Sequence, residues 1–151
     1  MPIKLKSPLK KEFHLTKSDG ELGVDGIEGD PTLITVRQAT QGDHELRNDL
    51  DSEFRREYDG RTIKVVQRIS FDDLRRREVF LTLCACNILD EDGSKPLFAF
   101  ENGRLNNEEV FNRSWGKLPP TVADEIHEKV MEMNPLWNAS SKPVAEVSGE
   151  E

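Results

Sequence analysis

Cys84 with Cys86, His127 with Glu128, and the run Asp90-Glu91-Asp92 are the places where this chain gathers side chains able to bind a metal or move a proton. Two cysteines could offer a thiolate pair, but residues two apart on a helix point about 200° apart, so on a helix they cannot clasp one ion. They read as packing residues. His127-Glu128 lacks the second histidine of the HExxH zinc motif. His14, His44 and His127 fall in a tail, a polar helix start and a polar helix face, and each reads as a surface residue. Three acids at 90–92 follow a helix, which is the composition of a surface turn rather than of paired catalytic carboxylates. Ser18–Pro31, with four glycines and several acids, invites calcium. It lacks the alternating DxDxDG ligands and the distal bidentate glutamate that calcium loops use. No GxSxG, phosphate-cradling glycine loop or Cys-His-Asn set is present. The expectation is a protein without catalytic residues, metal or cofactor.

Composition narrows the alternatives. A length of 151 residues, 35% hydrophobic and 33% charged, suits one domain with a modest core and a polar surface. A net charge of -8 speaks against nucleic acid or an anionic membrane as partner, because phosphate contacts need clustered Lys and Arg. No run approaches the roughly 20 apolar residues of a membrane-spanning helix, and MPIKLKSPLKKEF has no apolar signal core. The chain reads as cytoplasmic, and two cysteines fit a reducing compartment.

Around these residues the elements can be laid out. Residues 1–30 read as a flexible arm and a Gly-rich loop, with an edge strand interrupted by Pro8 as the alternative for the first 13. Thr32–Ala39 is a β-branched strand; Thr40 and Asp43 open a helix with Leu46, Leu50, Phe54 and Tyr58 on one face. Arg61–Ile69 is a second strand, parallel to the first if the helix is a crossover. Ser70–Leu89 is the long central helix, capped by Ser70, with Arg75–Glu78 at its wet end. Leu74, Leu81, Cys84, Ala85 and Ile88 are its core residues. Asn102-Gly103 marks a hairpin turn, and Asn106 or Asn107 caps a short helix carrying Phe111 and Trp115. Pro119-Pro120 breaks the chain and starts a last helix with Val122, Ile126, Val130 and Met133, which Asn134-Pro135 stops. Trp137 folds back onto the core or onto a partner. Residues 138–151 are too polar to pack and read as a disordered tail. The fold class is therefore α+β, a small sheet against about four helices, with residues 31–137 as the single domain and a helical C-terminal half.

One stretch carries a resemblance. Phe111-Asn112-Arg113-Ser114-Trp115-Gly116-Lys117-Leu118-Pro119-Pro120, continuing through Ile126 and Val130 to Asn134-Pro135-Leu136-Trp137, resembles the ending of small phage and prophage tail assembly chaperones. RQAT, an acidic helix and LRRREVFLTLCACNILDEDGSKPLF are similar to the same group, so the resemblance covers about residues 31–137. It implies a non-enzymatic protein of the host cytoplasm that binds the phage tail tape-measure protein, or other tail proteins, during tail morphogenesis. The alternative is a structural virion component, such as a neck, head-tail connector or minor tail protein. A homo-oligomer stays open under either. The partner-binding residues expected from it are Trp115, Val130, Met133 and Trp137, whose apolar area suits an interface.

Overall fold

Three consecutive β-branched residues, Ile34-Thr35-Val36, make Leu33–Arg37 a strand, and it takes the centre of a three-stranded antiparallel sheet. The computed structural model describes residues 2–22, 31–58 and 71–137, with the backbone alone over 51–58. In chain order the elements are β1 (Lys10–His14), α1 (Thr16–Leu22), β2 (Leu33–Arg37), α2 (Gln41–Tyr58), α3 (Phe71–Thr82), β3 (Leu83–Cys86), β4 (Phe100–Glu101), β5 (Arg104–Leu105), α4 (Glu108–Trp115) and α5 (Pro120–Met133). The α+β class is as expected. The sheet order is β1-β2-β3, with Lys10 opposite Arg37, His14 opposite Leu33 and Ile34 opposite Cys86.

The long central helix is corrected. It ends at Thr82, and Leu83–Cys86 leaves as a strand on the second edge of β2. A continuous apolar run does not distinguish helix from buried strand, and here the unpaired backbone edge of β2 decides the matter. Thr82 Oγ1 turns back onto the Glu78 carbonyl at 2.8 Å, as the helix closes. A bulge follows, because Val36 faces Leu83 while Thr35 faces Ala85, leaving Cys84 as the extra residue. Leu83 and Cys84 are therefore buried in succession, and Ala85 is exposed rather than core. Leu81 and Ile88 are buried as expected, and Leu74 only partly. The helical geometry that separated Cys84 from Cys86 lapses; burial pushes both thiols up, Cys86 to about 12, so neither is a ready thiolate.

The arm-and-loop reading of residues 1–30 is corrected between 10 and 22, where β1 is the edge strand and α1 follows it. Glu125 of α5 holds the start of α1, accepting from the Ser18 amide and hydroxyl at 2.8 Å each and from the Lys17 amide at 3.2 Å. A carboxylate at a helix N-terminus satisfies free amides and opposes the positive dipole end. Expectations for the rest of the Gly-rich loop, the strand Arg61–Ile69, the Ser70 cap and the tail 138–151 lie outside the described residues.

Polar groups expected at the surface are also corrected. Glu78 is fully buried in α3 and meets Arg47 Nε of α2 at 2.6 Å and His127 Nε2 of α5 at 2.7 Å, tying three helices together. Arg77, buried beside it, bonds Glu108 and the Leu46 carbonyl. The C-terminal half packs Phe111 between Phe80 and Phe98, with Trp115 next to it at 5.8 Å between centroids. The hairpin turns at Asn102 and Gly103, both at positive φ, as the Asn-Gly pair predicts. Asn107 caps α4 by accepting from the Val110 amide. Pro120 opens α5, whose Val122, Ile126 and Val130 are fully buried.

At the start of α2, Thr40 and Asp43 form a reciprocal cap: the Asp43 amide donates to Thr40 Oγ1 and the Thr40 amide to Asp43 Oδ2. Asp43 also takes Arg37 Nη1 at 2.6 Å, and Arg37 Nη2 reaches the Leu81 carbonyl at the end of α3. Burial pushes the Asp43 carboxyl up, but the hydrogen bonds from Arg37 and the Thr40 amide, with the Arg37 charge, outweigh it and hold the group below 3.8. A depressed folded value means that its stabilisation is present above the ordinary carboxylate range and is lost as pH falls through the folded value. Urea midpoints of wild type and Asp43→Asn should therefore differ at pH 7, and the gap should narrow as the pH falls below 3.8. A constant gap would show that the charge of Asp43 does not contribute.

Candidate functional site

The α5 helix ends at Asn134, and this side chain determines where the following residues go. Asn134 Oδ1 accepts from the Ala39 amide at 2.8 Å, while Nδ2 donates to the Val130 and Arg37 carbonyls. The end of α5 is thereby fixed to the connection between β2 and α2. Residues 135–137 make one more helical turn, with the Trp137 amide donating to the Asn134 carbonyl.

Trp137 closes this corner from below. It is buried, its indole Nε1 donates to His44 Nδ1 at 3.1 Å, and the Arg47 guanidinium lies 5.3 Å from its ring centroid. Accepting at Nδ1 requires the His44 tautomer that carries its proton on Nε2. Above Trp137 a groove of about 460 Å³ opens between Gln38–Gln41 and His44 on one wall and Met133–Trp137 on the other. Leu136 stands on its lip, 84% exposed, and Met133 is half-buried beside it. An apolar side chain this exposed on a rigid helical turn suits contact with an apolar residue of another protein.

Of the four residues expected to bind a partner, the structure brings Met133 and Trp137 together here. The other two are corrected. Val130 is fully buried under α5, and Trp115 is buried against Phe111 on another part of the core. Trp137 itself forms the base of the groove rather than its accessible face, because its indole is held by His44 and Arg47. Leu136 was missed, although Asn134-Pro135 carried a signal for it: a turn that buries Trp137 turns its neighbour outward. His127, expected at the surface, belongs to the Glu78 cluster.

Among the described residues there is no group of three or more His, Cys, Asp or Glu able to hold a metal ion, and no helix is long and apolar enough to cross a membrane. Compared with known protein families, curated proteins and solved structures, the chain finds no match. Trp137→Ala should lower stability by about 3–5 kcal/mol, the cost of truncating a buried tryptophan, measured by urea unfolding. A loss under about 0.5 kcal/mol, typical of a surface change, would mean that Trp137 does not close the core.

Proposed function

We propose that the protein is a non-enzymatic phage tail assembly chaperone acting in the host cytoplasm, which binds the tape-measure protein through the groove flanked by Met133 and Leu136. The reading rests on the resemblance over FNRSWGKLPP and NPLW, together with the exposure of Leu136 at the end of that same stretch. A chaperone for a long helical client needs apolar contacts that form and release, held on a surface acidic enough to stay dissolved. Leu136 and Met133 supply the contacts, and the net charge of -8 supplies the solubility.

Full burial of one leucine contributes about 1.5–3 kcal/mol, which corresponds to a tenfold or larger change in affinity. Leu136→Asp should keep the wild-type unfolding midpoint, since the side chain stands in water, yet fail to keep co-expressed tape-measure protein soluble. Wild-type solubilisation by that variant would remove the groove from the reading. Detection of the chain in purified virions by mass spectrometry, with no tape-measure protein co-purifying from infected cells, would replace the chaperone with a structural virion component.

A further inference from the structure

A second groove lies at the opposite end of the sheet. It encloses about 630 Å³ where Thr32 and Asn87 meet the Leu89–Pro96 bridge and the Leu118-Pro119 turn. Ile88, Leu89, Leu97 and Leu118 make its walls apolar, and Asp90 and Glu91 stand among them with Lys117. The groove thus offers apolar walls and an acidic edge at Asp90 and Glu91, where the Asp90 side chain already bonds that of Asp92.

The N-terminal arm has the complementary pattern. Ile3 and Leu5 are 97% and 93% exposed, and they alternate with Lys4 and Lys6. Extended, such a segment shows apolar side chains on one face and ammonium groups on the other. The first eleven residues hold four lysines and no acid in a chain of net charge -8. The arm's own groove is badly placed to receive it. The Gln38 amide donates to the Leu9 carbonyl, so the arm leaves the sheet at the Arg37 end, while the groove is at the Leu33 end. To enter it in cis, the arm would have to reverse and run back along β1, which is roughly 17 Å long at about 3.3 Å per residue.

We propose that Pro2–Ser7 docks in the Leu89–Leu118 groove of a second copy of the chain, with Ile3 and Leu5 against its apolar walls and Lys4 and Lys6, on the outward face, meeting the exposed Glu91 at its rim. Two copies related by a two-fold axis exchange arms and make the contact twice. The grooves lie at opposite ends of the sheet, so this dimer and the client site are separate claims.

Sedimentation velocity over a concentration series tests it on the full chain. A reversible dimer is expected. Deleting Pro2–Ser7, or introducing Leu89→Lys, should give monomers; Glu91→Lys, on an exposed residue, serves if Leu89→Lys fails to fold. A labelled peptide of residues 2–11 should bind the arm-deleted protein, about tenfold more weakly after Leu89→Lys, as expected from losing one leucine contact, and about two- to fivefold more weakly after Glu91→Lys, as expected from losing one exposed ion pair. A chain that is monomeric at every concentration overturns the proposal, as does a dimer that survives arm deletion. Peptide binding by a chain that remains monomeric at full length also overturns it, since the arm then occupies its own groove. Peptide binding unaffected by the groove substitutions overturns the site.

Discussion

The buried carboxylate of Glu78 is the constraint on which the arrangement of the helices depends. A charge removed from water is costly unless it is closely paired and hydrogen-bonded, so the side chain has stringent positional demands. Arg47 from α2 and His127 from α5 meet those demands at 2.6 and 2.7 Å. Apolar contacts alone would tolerate sliding of one helix along another. A carboxylate with directional partners on two other helices does not.

This constraint reaches the candidate site through Arg47, which bonds Glu78 by Nε and lies over the Trp137 ring. Trp137 in turn donates to His44 in the first part of α2. The base of the Met133–Trp137 groove is thus connected to the polar centre of the fold through two side chains. Asn134 adds the second attachment, from the end of α5 to Ala39 and Arg37. At the same end Arg37 links Asp43 at the start of α2 with the Leu81 carbonyl at the end of α3, so the termini of two helices face one guanidinium. The exposed Leu136 is therefore carried by a rigid corner.

Local signals in the sequence survived folding where the physics is local. Asn102-Gly103 specified its own turn, Thr40 and Asp43 their cap, Asn107 the start of α4, and Pro119-Pro120 the break before α5. The failures share a different cause. Leu83–Cys86 became a strand because β2, nearly fifty residues earlier, offered an edge. Glu78 and His127 read as solvated because each has its partner far along the chain, and no short-range pattern announces such a pair. Trp137 had two readings, core or partner, and only the positions of His44 and Arg47 decide between them. Met133 and Trp137 could be singled out from the sequence as large apolar residues at the end of the last helix, but the exposure of Leu136 between them depends on a turn whose direction is set by Asn134.

The central claim is that Glu78 clamps α2, α3 and α5 and so supports the corner that carries the groove. Equilibrium urea unfolding of Glu78→Gln tests it most directly, because the substitution keeps the shape while removing the charge that Arg47 faces. Disrupting a buried pair on one side costs about 3–5 kcal/mol, and a loss of that size is the predicted result. A loss within about 1 kcal/mol, the range of one ordinary hydrogen bond, would contradict it and leave the apolar core alone holding the helices in place.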